Sequence, residues 1–199
     1  MRRQRTTTGG PRRVRRDRIR NGADYLRWEP LLCDEQRIRL AAVPAPARFL
    51  GKPMPQSLDA LSFEGLSRLW SVRTSEELLV VGASVLFGIG RDHALYDAPA
   101  LQVAGFMNWL TAELQRVNDL WNGIRSTRTA EESMAGIDEL AFGAFGIADW
   151  YARRMGMHNH DDAFSTPWPR IWQCLRNDTE EAEYRKRLGK ILTDKTRHK

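Results

Sequence analysis

The amino-acid sequence predicts a mainly α protein, a single helical domain that follows a small irregular or β-hairpin amino-terminal region and a disordered arginine-rich arm. Three observations carry that prediction. From Pro55 onward, apolar residues recur at steps of three and four, the period of an amphipathic helix. Capping signatures open three of these stretches, at Thr74-Ser75-Glu76-Glu77, Thr129-Ala130-Glu131-Glu132 and Asp178-Thr179-Glu180-Glu181; in each, a side-chain oxygen accepts from the third helical amide while the carboxylate there reaches back. Ahead of that point stand prolines at 30, 44, 46, 53 and 55, a density that no long helix survives. The chain divides accordingly into an arm over 1–20, an irregular region with a candidate hairpin over 21–55 and a helical domain over 56–199.

Charge separates the arm from the rest. Residues 1–20 hold nine arginines against one aspartate, a net +8, whereas the whole chain is +6, so the remainder is −2. The arm lacks apolar periodicity and is interrupted by Thr6-Thr7-Thr8-Gly9-Gly10-Pro11; it cannot bury enough surface to offset its ordering entropy. Clustered guanidinium groups attract phosphate without reading sequence. Arg12, Arg13, Arg15, Arg16, Arg18 and Arg20 are therefore the candidate nucleic-acid contacts. A solubilising tail or an upstream start codon is together the favoured account of them, and arginine outnumbers lysine by 26 to 5 along the chain, which points to a compositional bias.

The hydrophobic share of 42% and charged share of 28% are those of an ordinary globular chain. No apolar run approaches the roughly 18 to 20 residues of a membrane span, and the basic start is not followed by the apolar run of a secretory signal. These features predict an intracellular, cytoplasmic protein. Two cysteines, Cys33 and Cys174, make neither a disulfide framework nor a four-cysteine zinc site.

In order along the chain, Arg37-Ile38-Arg39-Leu40 alternates polar and apolar, the pattern of a short strand that would pair with Ala47–Leu50 across Pro44-Ala45-Pro46. Leu58, Leu61, Leu66, Leu69 and Trp70 predict a helix starting near Ser57 or Ser62. The Thr74 box opens a helix to about Phe87 that is apolar nearly all round, hence central; its β-branched content leaves a buried strand as the rival reading. Asp97-Ala98-Pro99 predicts the next start, with Asp as cap and Pro in the first turn. Val103, Phe106, Met107, Leu110, Leu114, Val117, Trp121 and Ile124 form that helix's stripe. Trp109 and Leu120 fall on another side, which implies contact with another helix or another chain.

The Thr129 box predicts one helix to about Met155, with Ile137, Leu140, Ala141, Ala144, Ala148, Tyr151 and Met155 facing the core and Phe142 and Phe145 beside them. Gly156 is a natural stop. Turn chemistry follows at His158–Asp162 and Pro167-Trp168-Pro169, then a short helix over Ile171–Leu175 and a last charged helix from Asp178 toward Leu192. The sequence shows no internal repeat.

His158-Asn159-His160-Asp161-Asp162 is the sharpest polar cluster. His158, His160 and Asp161, with His93 from a distance, are candidate metal ligands, but histidines two apart point to opposite faces, and Asn159, Asp161 and Asp162 are good helix-cap residues. The cap is the favoured reading, and no bound cofactor or metal is expected. Cys174 sits in an apolar turn and Cys33 precedes two acids, so neither has a nucleophile's setting. Gly88-Ile89-Gly90 lacks the rest of a phosphate loop. Among seven tryptophans, Trp121, Trp150 and Trp172 read as core anchors. Trp109 and Trp168, with Leu120, Phe142 and Phe145, read as candidate partner contacts, because aromatic residues dominate interface hot spots.

Trp150-Tyr151-Ala152-Arg153-Arg154-Met155-Gly156-Met157, Asp161-Asp162-Ala163-Phe164 and Pro167-Trp168-Pro169-Arg170-Ile171-Trp172 together resemble the carboxyl-terminal part of the small helical tail-assembly chaperones of tailed phages and prophages. The resemblance covers about 50 residues and carries no catalytic signature. It implies a non-enzymatic protein of the host cytoplasm that sheathes the apolar helices of a tape-measure protein; the off-stripe Trp109 and Leu120 leave a homo-oligomer open besides. Nucleic-acid binding through the arm is the alternative, and a metal-dependent enzyme at His158 and His160 a third.

Overall fold

The computed structural model describes residues 19–124, 126, 130–135 and 142–197. The expected disordered arm therefore lies outside the described residues, apart from Ile19 and Arg20. So do Thr129 and the Ile137, Leu140 and Ala141 part of the expected stripe.

The region 21–55 is more helical than its prolines imply. Helix α1 (Gly22–Trp28) is capped by Asn21, whose side chain accepts from the Asp24 amide, and a 3-10 turn follows at Glu29–Leu31. Helix α2 (Asp34–Ala41) takes in Arg37–Leu40, correcting the expected strand. Four residues of alternation cannot outweigh a run of helix formers, here closed by Gln36 accepting from the Cys33 amide at 3.2 Å and by an exposed Glu35–Arg39 pair one turn apart. A hairpin does form, but between β1 (Arg48–Phe49) and β2 (Lys52–Pro53) around Leu50 and Gly51, both at positive φ. Phe49 is fully buried and stacks on Phe106 at 4.3 Å.

The helical domain begins with α3 (Phe63–Trp70), whose cap Ser62 accepts from the Gly65 amide. Helix α4 (Ser75–Phe87) has the expected reciprocal cap between Thr74 and Glu77 and is a helix, not a strand. At Gly82 a Cβ would lie 2.4 Å from Leu110 Cδ2, so glycine is what lets α4 approach α6. Asp97 does not open the next long helix. It ends α5 (His93–Asp97), which Asp92 caps, and α6 (Ala100–Asn122) starts after Pro99.

The predicted helix over 129–155 is two, α7 (Ala130–Met134) and α8 (Gly143–Met155), with a turn at Ala135 and Gly143 at φ +57°. After α9 (His160–Ser165), the two predicted carboxyl-terminal helices are one, α10 (Trp168–Arg197). Asp178 does not cap a new helix: it lies within α10, held by Arg154 through two bonds of 2.9 and 3.0 Å, and the Thr179 hydroxyl donates back to the Leu175 carbonyl at 2.8 Å.

The structure contains an internal duplication that the sequence does not display. Helices α4 and α8 have 13 residues each and end at Gly88 and Gly156, both left-handed. A short helix follows in each case, capped by Asp92 or Asn159, then Pro99 or Pro167 and a long helix, α6 or α10. Gly88 to Gly156, Pro99 to Pro167 and Ala100 to Trp168 all stand 68 residues apart. Each proline segment also clasps the start of a short helix through an isolated antiparallel bridge, Asn21 with Pro99 and Ser62 with Pro167. In the first clasp the Gly22 amide donates to the Ala98 carbonyl and Ala100 to Arg20, both at 2.9 Å. In the second, Phe63 donates to Thr166 at 2.8 Å and Trp168 to Leu61 at 3.1 Å. One unit is thus α1 with α4, α5 and α6; the other is α3 with α8, α9 and α10. Leu58, Phe63, Leu66, Leu79, Phe106, Leu110, Tyr151, Trp168 and Ile171 fill the shared core.

Candidate functional site

A concavity of about 810 Å³ runs between the end of α6 and the middle of α10. Leu120, Ile124 and Trp172 give it apolar walls, and Arg176, Glu180, Glu183 and Arg187 a charged rim that also holds the Thr179 hydroxyl. Trp172 joins the helices by donating its indole N–H to the Leu120 carbonyl at 3.0 Å. The Arg176 guanidinium lies 5.6 Å from that indole ring and bonds Glu180 at 2.7 Å. Apolar walls with a charged rim are the chemistry of a helix-accepting groove.

The structure distributes the candidate partner contacts unevenly. Leu120 is half-buried and lines the groove. Phe142 and Phe145 are 70% and 58% exposed, where α8 begins. Trp109 is half-buried and packs against the core. Trp168 is not a surface residue: it is 1% exposed, and its indole N–H donates to the Leu58 carbonyl at 2.8 Å. Its place after the proline clasp turns it inward, a direction that turn chemistry alone does not reveal. Trp121, Trp150 and Trp172 all pack against the core.

Of the candidate nucleic-acid contacts, Arg20 is exposed, with its backbone engaged by Asp24 and Ala100; Arg12, Arg13, Arg15, Arg16 and Arg18 lie outside the described residues. The histidine cluster behaves as a cap. Asn159 accepts from the Asp161 amide at 2.9 Å, and His158 is exposed. His160 Nε2 meets Asp149 Oδ1 at 3.0 Å, with its ring 5.1 Å from Phe145. That bond, with Arg153 on the other oxygen, holds the Asp149 carboxyl below its ordinary range. Among the described residues no three His, Cys, Asp or Glu side chains come together as a metal site would require. Cys33 is exposed, and half-buried Cys174 has Arg154 Nη1 at 3.6 Å from its sulfur.

Sequence reasoning missed the α10 side of the groove and a second apolar surface on the same helix. Tyr184, Leu188, Ile191 and Leu192 are 57%, 40%, 52% and 55% exposed. Their spacing of four, three and one was a legible signal, obscured by the charges between them.

Comparison with family models, curated proteins and solved structures finds no match. Among the described residues, no helix is long and apolar enough to cross a membrane.

Proposed function

We propose that the protein is a non-enzymatic assembly factor of the tail-assembly-chaperone kind, which shields apolar helices of a partner such as a phage tape-measure protein. The observation that carries this reading is the α6–α10 groove, whose walls are apolar. Elsewhere along the chain Met134, Phe142 and Phe145 are also exposed, by 88%, 70% and 58%. The groove takes apolar anchors against Leu120 and Trp172, and its rim supplies charges that fix register.

The test is co-expression with the tape-measure protein of the same genome, followed by purification with nuclease. Co-purification that survives nuclease and is lost in a Leu120→Asp, Phe145→Asp double variant supports the reading; no retained helical protein refutes it. The second reading, phosphate binding through Arg12–Arg20, is favoured by the net +8 of the first 20 residues against −2 for the rest of the chain. It requires steeply salt-dependent nucleic-acid binding that disappears when residues 1–20 are deleted.

A further inference from the structure

A cavity of about 320 Å³ lies where α1, α2 and α4 meet the middle of α6, and no residue that lines it lines the α6–α10 groove. That volume suits a small-molecule pocket. Leu40, Leu78 and Met107 are its apolar wall. Its polar groups are graded by depth: Tyr25 is only 6% exposed, Glu29, Ser75 and Asn108 are half-buried, and Arg37 is exposed on the solvent side.

Three of these groups have bonding capacity that the described residues leave unused. The Tyr25 hydroxyl takes part in no hydrogen bond among them; burial, with the Glu29 carboxylate nearby, pushes its pKa up to about 12, so the phenol keeps its proton. Glu29 pairs with no cation among the described residues, and its carboxylate accepts there from the Ser75 hydroxyl alone, at 3.3 Å. Asn108 donates both amide hydrogens, to the Leu40 carbonyl at 2.8 Å and the Val43 carbonyl at 3.0 Å. Those bonds fix which side-chain atom is the nitrogen and leave Oδ1 as an acceptor.

The fold does not require this set. The two proline clasps match Arg20 to Leu61 and Gly22 to Phe63, in each case 41 residues apart, so Tyr25 corresponds to Leu66 and Glu29 to Trp70. Leu66 is fully buried and Trp70 packs against the core. The second unit therefore uses apolar side chains at the two places where the first sets a partnerless hydroxyl and an unpaired carboxylate. A buried polar group without a partner is costly, and a ligand that supplies the partner removes that cost.

The ligand's chemistry follows from the lining. Glu29, Asn108 Oδ1 and the Tyr25 oxygen offer three acceptors, the number of donors on a primary ammonium. Arg37 spends one nitrogen on the Pro30 carbonyl at 3.3 Å, and the rest of its planar fork suits a carboxylate. One group of each sign, with an apolar wall, matches a molecule of no net charge. We infer that this cavity binds a small zwitterion of the aliphatic amino-acid class, its ammonium directed inward to Glu29, Asn108 and Tyr25, its carboxylate outward to Arg37 and its aliphatic body against Leu78 and Met107. The site is independent of the helix-binding function proposed above, and either stands if the other fails.

Calorimetric titration of the full-length protein with L-alanine, L-valine, L-leucine, L-methionine and γ-aminobutyrate tests it. Saturable binding of at least one is expected, weakened about tenfold or more by Glu29→Gln and by Arg37→Gln. For the tightest of the five, the amine lacking the carboxylate and the acid lacking the ammonium should each bind about tenfold or more weakly. Tyr25→Phe removes only the partnerless hydroxyl, so it should weaken binding while leaving the melting temperature unchanged or raised, a combination that a merely structural tyrosine does not give. Amide shifts at Tyr25, Ser75 and Asn108 in the unsubstituted protein report the same event without any variant. No saturable binding of any of the five up to tens of millimolar overturns the inference, as does binding unaffected by Glu29→Gln. An amine that binds as tightly as its parent amino acid overturns it too, because the cavity then takes a bare cation and Arg37 has no part in it.

Discussion

Two buried aromatic residues show how a single polar atom sets the sign of a substitution. Trp168 is 1% exposed with its indole N–H satisfied by the Leu58 carbonyl, whereas the hydroxyl of fully buried Tyr151 has no hydrogen-bond partner among the described residues. A buried polar group without a partner costs about 1–3 kcal/mol. Urea denaturation should therefore find Tyr151→Phe neutral or stabilising by up to about 1 kcal/mol, while Trp168→Phe, which strands the Leu58 carbonyl and leaves a void, loses about 2–3 kcal/mol. Glu113 gives the residue scale its pH dependence. Its carboxylate accepts from Arg116 and from the Leu58 amide at 2.9 Å, and these bonds, Arg116 first, hold it below the ordinary glutamate range. A depressed folded value means the stabilisation is present above the unfolded value of about 4.3 and is lost as pH falls through the folded one. Glu113→Gln is expected to cost about 1–2 kcal/mol at pH 7 and to flatten the acid side of the stability curve; an unchanged acid limb would count against the assignment.

At the scale of elements, what the sequence revealed depended on whether the deciding interaction is local. The Thr74 cap, the Ser62 start and the Asn159 cap are made by side chains, and the Gly156 stop by a left-handed backbone, all within a few residues of the groups they satisfy, and these were legible, Ser62 as one of two candidate starts. The junction at Asp178 was misread because it is settled at longer range, by Arg154 reaching Asp178 from α8; Arg37–Leu40 was misread because four alternating residues were read apart from the helix formers and local bonds around them, with Asn108 of α6 holding the Leu40 and Val43 carbonyls besides. The duplication escaped for a related reason. Ala100 and Trp168, or Ala83 and Tyr151, are equivalent and buried but differ greatly in volume, so the units share backbone signals and not core side chains. Half of the groove was legible as Leu120; its α10 half was not, since Arg176, Glu180 and Glu183 read as an ordinary solvated face. The duplication makes a paired prediction. Gly88 and Gly156 have φ of 69° and 65°, and nothing lies within 4 Å of the place a Cβ would take, so Gly88→Ala and Gly156→Ala should each cost about 1 kcal/mol through backbone strain alone. Thermal melts showing similar losses at both sites would support equivalent helix ends.

The whole molecule is held together by how the two units are threaded. The short helix that belongs with α9 and α10 is α3, yet α3 precedes α4, α5 and α6 in the chain. The units are therefore interlaced, and no single cut separates them. A fragment of residues 19–124 keeps the Asn21–Pro99 clasp but deprives Leu61 and Phe63 of Trp168 and Thr166, and Leu58 of the indole bonded to its carbonyl. It also uncovers Phe63, Trp70 and Trp121, whose rings otherwise continue into Phe164 and Trp168. Such a fragment keeps its helical propensity and loses the packing that orders its aromatic rings, the state in which far-ultraviolet dichroism survives and near-ultraviolet dichroism does not. The full chain is expected to unfold in one transition reported equally by both signals, since a core shared across interlaced units has no partly folded form that keeps its contacts. Two separated calorimetric transitions, or a 19–124 fragment with a sharp melt and full near-ultraviolet dichroism, would show instead that the first unit is an autonomous domain, with the α6–α10 groove formed between independently folding bodies.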